Sequence, residues 1–344
     1  MPAGRGAATI ASSLPPVAAM ARSPIPSVPP ARRERLAAVA LAGAALFWSG
    51  AFIAGRALRN DVDPAMLTLL RWGLALLAFL PLIGPKAWRC RAVVRREWRL
   101  VAGLGITGLA AFHTLTNLAM HTTTALNAIL MLSLVPATIL VGGALSGASR
   151  PSARQWAGTA VSLVGAGVLI THGSLDVLLG LDLVRGDLWM VVSVLLWTAY
   201  SLLLRRRPAD LPPDVALMAS IVPALAVLLP VALLGGAALP TPTPFVVGAV
   251  LYIAIFASLI AFSLWAHGVA VLGPERAGQY VHLMPIFGAV LSTVLLGEAV
   301  VAAQLAGGAF VFAGLWLSHA GAGAGGRATA HRAAEPATPI ALRP

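Results

Sequence analysis

The residue of this sequence with the most distinctive chemistry is Arg71, which stands inside a long apolar stretch. If that stretch crosses a membrane as a helix, Arg71 lies about seven residues from its outer end, roughly 10 Å deep at about 1.5 Å per residue. A guanidinium at that depth costs several kcal/mol unless it pairs, faces water or reaches the surface. One hypothesis is an anion site, in which a carboxylate on a bound molecule supplies the partner. The alternative is a structural role, as a helix cap or in a pair with Glu298, an acid predicted at a helix end.

Aromatic residues form a second candidate set, and two of them, Trp48 and Trp197, lie well inside apolar segments. Aromatic rings give a rigid apolar wall with one polar handle, which suits an amphipathic ligand. Tryptophan and tyrosine also collect at membrane interfaces, so rings near loop ends can be anchors instead. The further aromatic candidates for ligand contact are Tyr200, Trp265 and Tyr280.

Four further residues complete the candidate set: Asn127, His282, Pro136 and Pro285. Asn127 needs a partner or water in lipid, and His282 can titrate near neutral pH, although either can simply be hydrogen-bonded within a helix bundle. Each proline lies inside a predicted helix and leaves the carbonyl four residues earlier without its usual bond. We expect paired kinks beside a binding site that act as hinges, with harmless kinks as the alternative.

Motifs typical of enzymes and of ATP-driven pumps are missing from the sequence. It contains no Gly-x-Gly-x-x-Gly, no Walker lysine, no His-Glu-x-x-His and no Cys/His set with metal-ligand spacing. We therefore predict no cofactor, no metal site and no catalytic residue.

The composition requires that most of these residues lie in a membrane. Hydrophobic residues make up 58% of the 344 residues and charged residues only 10%, with a mean hydropathy of +0.86. Charged residues are about a quarter of a soluble domain, so this chain has too little polar surface to cover a water-exposed fold. The net charge of +12 comes from arginines clustered between apolar runs. That arrangement does not favour nucleic acid binding, and the expected partners are the lipid bilayer and a small molecule.

The apolar runs predict ten membrane-spanning helices. Lysine and arginine are concentrated in every second loop, which predicts a multi-pass inner-membrane protein with both termini cytoplasmic. Residues 1–35 and 321–344 are predicted to be disordered cytosolic tails. The predicted helices cover residues 36–56, 65–84, 100–119, 124–145, 155–171, 187–204, 214–234, 245–271, 277–297 and 301–319.

A constant offset of 149 residues relates the two halves of the chain. Because each half would hold five helices, the second would insert upside down relative to the first. The sequence thus predicts an all-α integral membrane fold of two inverted five-helix repeats, residues 36–175 and 185–320. An old duplication kept only for packing is the alternative. The matching pairs are Trp48/Trp197, Arg56/Arg205, Pro64/Pro213, Pro136/Pro285, Gln155/Gln304, Gly158/Gly307 and Gly165/Gly314.

Several short motifs stand out in the apolar segments beside Arg71. They are Ala45-Leu-Phe-Trp48-Ser-Gly-Ala-Phe52, Gly186-Asp-Leu-Trp189 leading to Leu196-Trp197-Thr-Ala-Tyr200, and Leu283-Met-Pro285 followed by Leu295-Leu-Gly297-Glu298. Together they resemble the drug/metabolite transporter superfamily, in particular its EamA-type ten-helix branch. The resemblance implies a transporter fold but is weak on substrate. One departure is Leu145-Ser-Gly147-Ala-Ser149, where the family usually has Gly-Glu, so Ser149 corresponds to Glu298 under the offset.

These observations predict a secondary transporter that moves small amino acids or related polar metabolites across the inner membrane by alternating access. By family likeness we expect an exporter. A membrane enzyme acting on lipid or isoprenoid head groups is one alternative, although it would need a cluster of acids or histidines. A non-transporting sensor or scaffold is another. The sequence leaves the substrate, the energy coupling and the oligomeric state open.

Overall fold

The structure is a computed structural model that describes residues 29–119, 121–123, 125–180, 184–296 and 301–319. Within these ranges the chain is helical, with turns and short loops between the helices and no strand. Glu298, most of the first predicted tail and all of the second lie outside the described residues. The helices are α1 (Pro30–Ala57), α2 (Pro64–Arg89), α3 (Arg91–Arg96), α4 (Trp98–Ala119), α5 (Ala125–Leu132), α6 (Val135–Leu145), α7 (Ala153–Thr171), α8 (Leu175–Leu179), α9 (Arg185–Arg205), α10 (Pro213–Leu234), α11 (Pro244–Leu272), α12 (Pro274–Gly278), α13 (Leu283–Leu296) and α14 (Ala302–His319).

Within the residues that the structure describes, seven helical stretches are long and apolar enough to cross a membrane. They are α1, α2, α4, residues 128–145, α9, α10 and α11. Large apolar side chains on these helices, such as Leu77, Leu82 and Leu233, point outward and are exposed. Such a surface is stable only against lipid, and the chain is therefore a multi-pass membrane protein.

The first helix begins earlier than the sequence predicted. It starts at Pro30 rather than at residue 36, so Arg32, Arg33 and Arg35 belong to it and not to a tail. Proline fits the first turn of a helix because its missing N–H would be unpaired there in any case. The last six residues of the first predicted tail are thus helical.

Helical geometry is broken just before each of the two prolines that the offset pairs, so a kink lies beside each of them, while their role as hinges stays a prediction. A turn at Ser133 and Leu134 separates α5 from α6, and Pro136 lies in the first turn of α6. Likewise a 3-10 helix, Gln279–His282, precedes α13, of which Pro285 is the third residue. The proline is tolerated in the first turn because no amide partner is lost there.

The helices α7 and α14 pack through glycines. A Cβ on Gly165 would lie 2.7 Å from the carbonyl oxygen of Gly307, and one on Gly158 would lie 2.6 Å from that of Gly314. Ser162 donates to the Val311 carbonyl at 3.2 Å across the same contact. Small residues spaced three or four apart on α7 therefore let its backbone approach that of α14 closely.

Two helices contain a π-helical stretch, Gly105–Ala111 in α4 and Ile253–Ile260 in α11. These stretches end 149 residues apart. A π-helical turn shifts the direction of the side chains that follow it and is frequent at functional sites. Both stretches lie next to the cavity described below.

Candidate functional site

A cavity of about 620 Å³ enters the bundle from one end. Its mouth is formed by the exposed residues Arg56, Arg59, Asn60 and His121. A volume of this size is typical of small-molecule sites. The buried part of its wall includes Trp48, Phe112, His113, Thr116, Trp197 and Phe262, with the partly buried Arg71 beside them.

Four rings, Trp48, Phe112, Trp197 and Phe262, form the aromatic floor of the cavity. The Trp48 and Trp197 rings meet edge to face at 5.2 Å, and Phe112 lies 4.8 Å from Trp197. Trp48 donates its indole N–H to the Ala257 carbonyl at 3.0 Å, which fixes the orientation of its ring. The mutual contacts of the rings leave a rigid apolar surface at the bottom of the cavity.

Arg71 is held beside the floor by neutral groups. Its Nε donates to Ser258 Oγ at 2.5 Å, and its Nη2 donates to the Ala257 carbonyl at 3.1 Å. Its Nη1 lies 3.2 Å from His113 Nδ1, and its guanidinium carbon lies 5.4 Å from the centroid of Trp72. The described residues include no carboxylate within ion-pair distance of this guanidinium. Arg71 therefore carries a positive charge without a described counter-charge.

The π-helical stretch of α11 brings two of these partners to Arg71. Ser258 Oγ donates to the Ile253 carbonyl, five residues earlier, at 2.8 Å. That bond leaves the Ser258 oxygen free to accept from Arg71. The π-helical stretch of α11 thus helps to hold the guanidinium of Arg71 through Ser258.

The end of the bundle opposite the mouth is closed. The helix α9 begins near the mouth, where Asp187 accepts from Thr123, passes the aromatic floor at Trp197 and ends at Arg205. Two hydrogen-bonded pairs join neighbouring helices at this closed end. The hydroxyl oxygens of Thr138 and Thr198 are 2.7 Å apart, and Arg205 Nη1 donates to Glu275 Oε1 at 2.7 Å. Among the described residues, the exposed ones that line the cavity all belong to the mouth, so a solute reaches the cavity from that end.

The predicted site residues are placed as follows. Trp48, Arg71 and Trp197 line the cavity. Tyr200 and Trp265 are buried and contact the ring of Trp197 from the far side of the floor. Substrate contact by any of them stays a prediction.

Two other predicted residues, His282 and Tyr280, lie elsewhere. His282 is fully buried and its Nε2 is 2.9 Å from the Ser133 carbonyl, between the starts of α6 and α13. Tyr280 packs edge to face on His319 at 5.6 Å, and it is not among the described residues that line the cavity. The backbone of Asn127 belongs to α5, but its side chain lies outside the part that the structure describes, as does Glu298.

The sequence analysis did not identify His113 and Thr116 as parts of the site. Both lie on α4 and line the cavity together with Asn117. Positions three and four residues apart share one face of a helix. A polar set at 113, 116 and 117 in an apolar helix was therefore a usable signal.

A comparison with known protein families finds the EamA-like transporter family twice in this chain, over residues 35–171 and 184–319. The chain belongs to the EamA-like transporter family. The predicted family resemblance is thus confirmed, and the two matches begin 149 residues apart, as the offset predicts for a duplicated unit. Membership indicates a transporter rather than an enzyme.

Relatives of this EamA-like chain bear transporter names. An uncharacterized transporter of Archaeoglobus fulgidus is 27% identical over 80% of this chain and 94% of its own length. The uncharacterized transporter YdeK of Bacillus subtilis is 30% identical over 74% of this chain and 87% of its own length. A probable terminal-alkyne amino-acid exporter of Streptantibioticus cattleyicolor is 28% identical over 78% and 89%.

A crystal structure of another protein has the same fold as this EamA-like chain. The two superimpose with a TM-score of 0.68 over 83% of this chain and 96% of the other, at 23% sequence identity. This likeness concerns the fold alone.

Proposed function

We propose that this chain is a secondary transporter that exports small amino acids or related polar metabolites across the inner membrane by alternating access. The observation that carries the proposal is the cavity that is open at Arg59 and His121 and closed beyond Trp197. Alternating access requires a binding site that is reached from one side at a time. The export direction is supported by the name of the Streptantibioticus relative.

We also propose that ten helices form two inverted five-helix repeats, with both termini in the cytoplasm. Two hydrogen bonds join residues 149 positions apart, His282 with the Ser133 carbonyl and Ser162 with the Val311 carbonyl. A bond between equivalent residues is expected where they face each other across a two-fold axis. The reciprocal glycine contacts of α7 and α14 follow the same rule.

In this arrangement the cavity mouth faces the outside. The mouth residues Arg56 and Arg59 follow α1, whose first residues would lie in the cytoplasm. We therefore propose that the structure is the outward-open state and that Pro136 and Pro285 are hinge positions. Each follows a break in helical geometry where the backbone can turn at low cost.

Flux into proteoliposomes tests the proposal. Purified protein is reconstituted, and uptake of a panel of labelled amino acids and related metabolites is followed with and without an imposed pH gradient. We expect saturable uptake of at least one compound that empty liposomes do not show. Binding of a compound in detergent without protein-dependent flux of any compound would contradict a transport function.

Replacement of Trp197 tests the aromatic floor. We expect Trp197→Ala to raise the half-saturation concentration about tenfold or more, because it removes a ring that contacts both Trp48 and Phe112. The matched control is Trp189→Ala on the same helix, since Trp189 is 39% exposed and is not a lining residue. Equal kinetics of the two variants would remove Trp197 from the binding site.

A further inference from the structure

We propose that the cavity selects small organic anions, with a carboxylate or sulfonate on an apolar and preferably aromatic body, over zwitterionic amino acids. The inference rests on the proposed transport function and, within its substrate class, favours related metabolites without an amino group over the amino acids themselves. Four features of the described residues carry it: the charge of the lining, the uncompensated Arg71, the unpaired donors and the aromatic floor.

The charged side chains that line the described cavity are all basic. They are Arg56, Arg59 and Arg71, and the lining also contains His113 and His121 but no aspartate or glutamate. Asp187 is not among the described lining residues. It accepts a hydrogen bond from the lining residue Thr123 and another from the backbone N–H of Val184 at 2.9 Å. Because the apolar walls of a cleft focus the field of the charges that line it, a set of like charges favours a ligand of the opposite sign.

Arg71 has hydrogen-bonding capacity left for a ligand. A guanidinium has five N–H donors, and three of them are directed at Ser258, His113 and the Ala257 carbonyl. Two donors remain, which is the number that a carboxylate needs for a two-point contact. The three neutral partners hold the side chain in place without neutralising it.

The tautomer of His113 adds a further donor. Arginine cannot accept a hydrogen bond, so the contact at 3.2 Å requires that His113 Nδ1 accepts from Arg71 Nη1. Neutral His113 must then carry its proton on Nε2, and this atom has no hydrogen-bond partner among the described residues. The indole N–H of Trp197 is likewise unpartnered, as is the hydroxyl of Thr116. Two of these three groups can only donate, and all three atoms are buried in the cavity wall, so an acceptor on the ligand reaches them only if it enters between the surrounding side chains.

A free amino group would find poor surroundings in the same cavity. An ammonium in this cavity would be repelled by Arg56, Arg59 and Arg71, and the described lining contains no acid that would offset this repulsion. An apolar body on the ligand, in contrast, fits the aromatic floor. Anions without an amino group are therefore favoured.

Three matched probes test the selection: 3-phenylpropanoate, its neutral amide 3-phenylpropanamide, and phenylalanine, which adds an ammonium to the same skeleton. We expect calorimetry on the full-length protein in detergent to show that the anion binds at least about tenfold more tightly than the amide or phenylalanine. Flux is measured in proteoliposomes with 2-phenylethanesulfonate, because a protonated carboxylic acid crosses lipid unaided.

Variants assign the preference to Arg71. We expect Arg71→Gln to remove the preference for the anion over the amide and Arg71→Lys to keep part of it, while the control Arg185→Gln, at an exposed position outside the lining, changes nothing. If Arg71→Gln does not fold, the ratio of the affinity for the anion to that for the amide is compared between the native protein and Arg71→Lys. A lower ratio in Arg71→Lys still assigns the preference to Arg71.

Two results would overturn the inference. One is an affinity for phenylalanine equal to or above that for the anion. The other is a gain of about tenfold or more in anion affinity in Glu298→Gln, since that would mean that Glu298 already neutralises Arg71. Flux of phenylalanine in either case would leave the transport function in place, whereas bound anion without flux of any compound would count against transport itself.

Discussion

A disulfide between cysteines placed at Thr138 and Thr198 is expected to stop transport while the cavity still binds its ligand. The two hydroxyl oxygens are 2.7 Å apart at the closed end, within the reach of a disulfide between short side chains. Alternating access requires that this end opens when the mouth closes, so a covalent link would hold the molecule with its cavity open to one side. The variant is made in a Cys90→Ser background, because Cys90 is the only other cysteine.

Flux into proteoliposomes and ligand binding in detergent are both measured before and after oxidation. We expect flux to fall to the level of empty liposomes on oxidation and to return with a reducing agent. The single variants Thr138→Cys and Thr198→Cys serve as controls and should keep their flux under oxidation. Normal flux through protein that is fully cross-linked would show that the closed end does not open during transport.

Gly165→Ala is expected to cause a large loss of stability for the addition of a single methyl group. The added carbon would lie 2.7 Å from the backbone oxygen of Gly307 and equally close to the Val311 nitrogen. Because these atoms belong to the backbone of α14, the two helices would have to move apart. Overpacking typically costs about 1–3 kcal/mol, and we expect the apparent melting temperature in detergent to fall by about 5 °C or more.

The same helices supply matched controls. A Cβ on Gly167 or on Gly308 would meet no atom within 4 Å, so Gly167→Ala and Gly308→Ala should melt close to the native protein. Gly307→Ala, in contrast, should resemble Gly165→Ala, since its Cβ would lie 2.7 Å from the Gly165 carbonyl oxygen. Similar melting of all four variants would mean that α7 and α14 do not pack closely in the membrane.

The apolar runs predicted the helix positions well because membrane insertion depends on local hydropathy alone. They could not predict the break before Pro136 or the 3-10 helix before Pro285. The two features meet at a contact between distant residues, the hydrogen bond between His282 and the Ser133 carbonyl. A pattern within one segment contains no information about such a partner.

Only part of the site was predicted, because its other residues also depend on contacts between distant segments. Trp48 and Trp197 were found because they recur at the offset, and Arg71 because a charge in an apolar helix is conspicuous. The partners of Arg71 were not found, since Ser258 is brought to it by a π-helical stretch in α11. Tyr280 was predicted at the cavity as a ring in an apolar segment, but the 3-10 geometry around it places the ring on His319.

The absence of an acid from the described lining has an electrical consequence. An anion carried past the fixed guanidinium of Arg71 would move one net negative charge per cycle, provided that neither lining histidine, His113 or His121, carries a proton with it. A cell interior that is negative would then push this anion outward with about 2.3 kcal/mol per 100 mV. Export could thus draw on the membrane voltage directly.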